Sequence, residues 1–477
     1  MKKNKIILSL LASSVLSTCL FASTDTVALE QEIKILKEEM KILKEEINAN
    51  SKINDTLIEK AQETTEAIID MEERSDDIEA STLADKISWG LTMNQDADYI
   101  SYKFTNGDVR SNVDFYSRVR LNMKSDFAEN MQFFGRLSMV KDWGSGFIEH
   151  QINNYSDVYE GRRTGSSAVY MERAYVKWAI AKDSNLPMTL SVGRLPSSDG
   201  PSIQFKENTT RKSMVSALAF DGASDGIEFT LNTDHYLKLH GSKFKIGYSR
   251  YIQDNTTGEP LSSSDTIKNT EVAGLFFQTK LGKNSPSEFS ISYVQAFDLY
   301  NSQGQNMGDV GLITSYLEFP NLYKSGLTAF IHGVLSTAMP SGNITAGETL
   351  LGTAANSSKN INGWAVWAGV RYKFDAPEYN NPRVGFEFNH GSQNFISFTP
   401  GSNDNSEKLS TRGNVYEVYY TQPINRHAFV RLSAQYQDVT NVGKSYNVVG
   451  TPYDVDSSPV NTIESEIYAG ISLGIKF

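Results

Sequence analysis

The chain has 477 residues, 39% hydrophobic and 11% aromatic, with a formal net charge of −11. A mean hydropathy of −0.37, with no run of about 18 apolar residues past the N-terminus, excludes a helical membrane protein. The acidity sits between residues 23 and 86, where 18 Asp and Glu oppose 8 Lys and Arg, and nucleic-acid binding has no support.

Residues 1–22 read as a secretory signal: Lys2, Lys3 and Lys5 form a charged start, Ile6 to Leu20 an apolar stretch, and Ala22 a small-residue cleavage position. The alternative is lipidation at Cys19, since Leu16-Ser17-Thr18-Cys19 resembles a lipobox, although Thr18 fits that motif poorly. Cleavage after Ala22 would remove the only cysteine, and with it any disulfide or thiolate metal site.

From Leu29 to Ile78 the pattern is a heptad. Leu29, Leu36, Leu43 and Leu57 take one core position; Ile33, Met40, Ile47 and Ile68 take the other, with Glu and Lys on the flanks. No Pro or Gly interrupts the stretch up to Leu83, so one helix of about 80 Å is expected. A self-associating coiled coil over residues 23–86 is the reading preferred to a lone amphipathic helix. Asn50 and Asn54 at core positions would either fix its register or weaken its seam.

After Lys86 apolar and polar residues alternate with period 2 to the end of the chain. Strands are expected at 87–93, 112–123, 130–141, 168–180, 187–195, 225–232, 243–251, 270–281, 287–298, 309–319, 326–336, 361–374, 383–390, 413–421, 427–437 and 464–477. In the last of these, Ile467, Ala469, Ile471, Leu473, Ile475 and Phe477 alternate with Tyr468, Gly470, Ser472, Gly474 and Lys476. The connections alternate in length, from long 94–111 and short 124–129 through to short 422–426 and long 438–463. Pro286, Pro320, Pro377, Pro382 and Pro423 are expected in the short ones. Such parity fits a mainly β chain folded as an up-and-down antiparallel transmembrane barrel of about 16 strands over 87–477, preceded by the helical coiled coil. With an even strand number both termini fall on the short-turn side, which puts the helix in the periplasm.

If the apolar parity faces lipid, Arg118, Arg120, Arg136, Arg173, Lys177, Lys245, Arg371, Lys373, Arg383 and Arg431 face the lumen, with Glu228, Glu387 and Glu417. A wall leaning positive predicts a preference for anions; the competing reading is a self-paired structural network. The Gly- and Asp-rich stretch 196–224 would fold into the barrel and bring Lys206, Arg211 and Lys212 to a constriction, or else form a surface loop. Arg194 falls on the apolar parity at a strand end. Asp199, Asp221 and Asp225 lack the spacing of a calcium loop. Of the six histidines only His332 falls mid-strand on the lumen parity, and no nucleophile motif accompanies it. Catalysis, cofactors and metals are therefore not expected.

The C-terminal strand ending on Phe477 resembles that of bacterial outer-membrane barrels, which implies recognition by the barrel-assembly machinery. Gly193-Arg194-Leu195-Pro196-Ser197-Ser198-Asp199-Gly200-Pro201 and Phe220-Asp221-Gly222-Ala223-Ser224-Asp225-Gly226 are similar to the signature region of an uncharacterised outer-membrane porin family of epsilonproteobacteria. That resemblance spans signal, heptad and barrel. It implies a porin in outer-membrane lipid and a homo-oligomer, commonly a trimer, but carries over no binding residues. The expected role is diffusion of small hydrophilic solutes. The alternative is a structural anchor to peptidoglycan or a surface adhesin.

Overall fold

The computed structural model describes residues 87–143, 166–196, 200–209, 213–252, 268–301, 303–398, 408–442, 453–455 and 461–477, with six residues between Lys34 and Lys44. Those six are helical and exposed, Met40 among them. The other heptad positions, the signal and Cys19 lie outside the described residues. The chain divides into two units, Met1–Glu72 and Glu73–Phe477, and the second is a sheet closed on itself.

Its first eight strands are β1 (Ser88–Phe104), β2 (Val109–Ala128), β3 (Met131–Asp142), β4 (Ser166–Ala179), β5 (Met188–Pro196), β6 (Ala223–Asn232), β7 (Lys243–Ile252) and β8 (Thr270–Lys280). There follow β9 (Glu288–Tyr300), β10 (Asn306–Leu322), β11 (Leu327–Pro340), β12 (Ile361–Lys373), β13 (Arg383–Gly391), β14 (Gly413–Pro423) and β15 (Ala428–Val439). A two-stranded ribbon, β16 (Asn441–Val442) and β17 (Tyr453–Asp454), precedes β18 (Ile463–Lys476). Apart from the ribbon, the strands pair antiparallel in chain order, and β18 returns to β1: sixteen strands with no free edge. Phe477 extends that seam by donating its N–H to the Leu91 carbonyl at 2.8 Å and accepting from the Leu91 N–H at 3.1 Å.

Polarity is inverted relative to a water-soluble barrel. On β11 Ile331 and Leu335 are exposed, whereas His332, Val334 and Ser336 are buried. On β14 and β15 Tyr416, Val418, Leu432 and Tyr436 point outward, and Glu417, Tyr419, Arg431, Ser433 and Gln435 inward. Closure gives every strand two partners, so no ladder of N–H and C=O groups is left at an open edge, where each unpaired group facing hydrocarbon would cost several kcal/mol. No helix among the described residues is long and apolar enough to cross a membrane.

Two expected connections are too long. The first strand does not stop at residue 93 but runs on to Phe104, and the expected long connection 94–111 is the four-residue turn 105–108. Inward Asn94, Asp96 and Asp98 alternate here with outward Gln95, Ala97, Tyr99 and Ser101, so polar residues on both faces hide the period. The connection 301–305 is likewise shorter than expected. Pro320 lies inside β10, where the register with β11 breaks between Phe319 and Leu322, and Pro423 closes β14.

At the end where 129–130, 180–187, 233–242, 281–287, 323–326, 374–382 and 424–427 join the strands, the connections are short, with one helical turn each in 233–242 and 374–382. At the other end, the described residues of segments 197–222, 341–360 and 392–412 carry buried apolar side chains into the barrel. Leu218, Phe220, Leu350, Leu351, Phe395 and Ile396 join Val294, Leu312, Phe330, Val334 and Trp367 of β9–β12 in one hydrophobic cluster. The apolar core of this molecule is therefore inside the barrel, against one side of the wall.

Candidate functional site

Residues 200–209 and 213–222 build much of the interior. The helix Ile203–Glu207 is framed by two residues in the left-handed region, Ser202 (φ 72°) and Asn208 (φ 53°). Six successive strands, β10 to β15, hold it. Ser202 Oγ donates to Glu318 Oε1 on β10 at 2.7 Å, and Gln204 Nε2 donates to the same oxygen at 3.1 Å. Phe205 stacks on Phe330 of β11 at 5.9 Å between centroids. The Arg371 guanidinium of β12 lies 5.2 Å over the Phe205 ring and donates to the Phe205 carbonyl at 2.8 Å. Lys206 pairs with Glu417 of β14 at 2.5 Å, Glu207 pairs with Arg431 of β15 at 3.1 Å, and Arg383 of β13 donates to Asn208. Breaking any one of these charged pairs would strand a charge in a closed interior, which is why they fix the helix in place.

A second set of contacts ties the rest of that segment to its neighbours. His332 on β11 is buried, with Tyr316 and Trp367 rings at 5.2 and 4.9 Å. Its Nε2 lies 2.8 Å from Ser202 Oγ and its Nδ1 2.7 Å from Ser216 Oγ. Because Ser202 donates its only hydroxyl proton to Glu318, it accepts from Nε2–H of the imidazole. Phe220 bridges Phe398 in parallel, with the Phe398 N–H donating to the Ala219 carbonyl at 2.9 Å. Lys408 reaches Glu387 at 2.7 Å and also binds Glu417, so Glu417 accepts from two ammonium groups. Arg412 donates to the Phe395 carbonyl at 3.0 Å; burial pulls its guanidinium down to about 10, which leaves it protonated at neutral pH. Between Val215 and Phe220 and the inner faces of β5–β9 there remains a cavity of about 50 Å³.

The other side of the interior is charged. Glu172 on β4 accepts from Arg120 and Arg136 at 3.0 Å each, lies 3.8 Å from Arg173, and also accepts from Ser138. Below this group Phe134 and Tyr175 stack at 5.2 Å and 16°. Lys177 stands 5.0 Å from the Phe134 centroid and Lys124 5.8 Å from it. On β1, Asp96 accepts from Ser472 and Asp98 from Tyr468 at 2.8 Å. Counted from the turn-side end of each strand, Phe330, Arg371 and Arg431 around the helix lie two to four residues in, as do Lys124, Phe134 and Tyr175. At about 3.3 Å per residue both groups sit roughly 10 Å along their strands from the turn-side ends.

The family model described as "Protein of unknown function (DUF3373)" matches residues 108–467, about three quarters of the chain. The chain belongs to this family. A comparison with curated proteins finds no match. Among solved structures, Salmonella typhi OmpF in complex with daunomycin is similar at 12% identity and a TM-score of 0.48, covering 83% of this chain and 99% of that one. Pseudomonas putida OprB at high pH is similar at 10% identity and a TM-score of 0.49, over 82% and 94%. The trimer form of in-vitro folded OmpT of Vibrio cholerae is similar at 11% identity and a TM-score of 0.43, over 82% and 99%.

Of the residues singled out in the sequence, Arg118, Arg120, Arg136, Arg173, Arg371, Arg383 and Arg431 fall on the inward parity, as do Glu228, Glu387 and Glu417. Lys245 pairs with Glu228 at 2.8 Å on β7 and β6. Lys177 and Lys373 share that parity but are exposed near their strand ends. Lys206 lies inside; Arg211 and Lys212 are outside the described residues. Arg194 pairs with exposed Asp225 on the outer face. Sequence reasoning passes over Asp96, Asp98, Glu172, Glu207, Glu318 and Lys408. The aspartates were lost with the end of β1. Glu172 turns inward next to Arg173 because β4 slips register between its pairs to Arg136 and Leu137. Glu207 and Lys408 sit in inserted segments that period 2 does not describe. Among the described residues no group of three or more His, Cys, Asp or Glu could hold a metal.

Proposed function

We propose that this protein is an outer-membrane channel that passes small hydrophilic solutes and favours anions. The observation that carries the reading is a closed wall, apolar outside and charged inside, narrowed by a helix held through ion pairs to strands β14 and β15. Fixed charges in a narrow lumen act on ions at short range, where salt screens them little. The acids Asp96, Asp98, Glu172, Glu207 and Glu318 offset much of the basic excess that the sequence suggests. The anion preference rests on β2–β4, where Arg120, Lys124, Arg136, Arg173 and Lys177 face Glu172 and, at the rim, Asp126. On this reading the turn-side mouth opens to the periplasm, and the heptad sequence of residues 23–86 serves self-association.

One observation favours a second reading, a sealed structural anchor or adhesin: the apolar cluster that three inserted segments build inside the barrel. Single-channel recording in planar bilayers under a KCl gradient separates the two. Stepwise openings with a reversal potential on the chloride side support the channel. A reversal potential on the potassium side refutes the anion preference, and a silent bilayer supports the anchor.

A further inference from the structure

Resting on the reading that the barrel conducts, we infer that its β2–β4 wall carries a binding site for planar aromatic carboxylates. Phe134 and Tyr175 are cross-strand partners, and their rings stack at 5.2 Å and 16° on the inner face. Phe134 is half-buried, so part of this ring pair stays open to the lumen. Lys124 pairs with Phe134 in register from the other side, which makes the row ammonium, ring, ring. Lys177 adds a second ammonium, 5.0 Å from one ring and 5.9 Å from the other. The position matters as much as the chemistry. These residues lie two to four positions in from the turn-side ends of their strands, as do Phe330, Arg371 and Arg431, which hold the helix Ile203–Glu207.

A ring held edge-to-face or offset on Phe134 gains from the quadrupoles of both, and an ammonium above it gains from its face. The carboxylate attached to that ring then meets Lys124 or Lys177, with Arg136 and Arg173 behind them. A saturated ring of the same charge and nearly the same size keeps the ion pairing but has no π-face. An inorganic anion keeps the charge alone. The wall therefore distinguishes among anions by their apolar part, a selectivity that a basic lumen alone does not give.

The test measures block of chloride current through the full-length protein in planar bilayers at neutral pH, with potassium benzoate or potassium cyclohexanecarboxylate added. Benzoate is expected to half-block at a concentration about three- to tenfold lower. In Phe134→Leu that ratio is expected to fall toward one, and in Lys177→Gln both anions weaken together. Equal block of the unaltered protein by the two anions overturns the site and leaves the channel standing; so does a ratio that survives Phe134→Leu. No chloride current at all overturns the channel and the site with it.

Discussion

At the scale of single residues, what decides an ion pair's worth here is where it lies. Glu417 has a fully buried side chain, and Lys206 and Lys408 both converge on it from inserted segments. Glu417→Gln leaves two ammonium groups facing a neutral amide, and removal of one partner from such a buried set costs about 3–5 kcal/mol. That loss is expected as a lower urea midpoint in vesicle-embedded protein, with noisier single-channel currents as the helix Ile203–Glu207 loosens. Arg194 and Asp225 are a contrast, since Asp225 is 62% exposed. Asp225→Asn is expected to cost no more than about 1 kcal/mol. A midpoint that moves equally in the two variants would show that the inner pair does not hold the helix. Gly193 shows a different constraint. Its φ of +127° and the Ala174 carbonyl 2.3 Å from where a Cβ would sit make glycine the one residue that fits beside Tyr175.

At the scale of elements, alternation carried the reading well where one face is apolar. β12, with Trp364, Val366, Ala368 and Val370 on one parity and Trp367, Gly369 and Arg371 on the other, lies at 361–373 against an expected 361–374. β1 failed the same test because its outward residues are too polar to contrast with its inward ones. The inserted segments were legible only as a choice. Gly and Asp in 196–224 fit a surface loop as well as an internal one, and nothing in their spacing shows that Phe205 meets Phe330 or that Phe220 meets Phe398. Such contacts join residues over a hundred positions apart, and period carries no information about them. The heptad makes its own prediction. Deleting residues 23–86 is expected to lower the oligomeric state on semi-native gels while the remainder stays a folded, heat-modifiable barrel. An oligomer unchanged by the deletion would remove the helix from assembly.

At the scale of the whole molecule, two hydrophobic systems coexist. The outer face of the barrel presents Ile, Leu, Val, Tyr and Phe side chains to its surroundings, and the inner cluster holds three inserted segments against β9–β12. The inner one leaves the charged β2–β4 wall as the other side of the interior. On the proposed reading, a lumen narrowed from one side would bring solutes to that wall, and this asymmetry would be the source of its selection. The outer one is the claim on which all else depends. It is tested most directly by single cysteines placed in turn from Ile227 to Leu231 of β6, in protein whose Cys19 is replaced by Ser, reconstituted in liposomes and treated with a membrane-impermeant maleimide. Labelling at positions 228 and 230 but not at 227, 229 and 231 is the predicted result; labelling at all five, or in the opposite phase, would contradict a barrel that is oily outside and wet within.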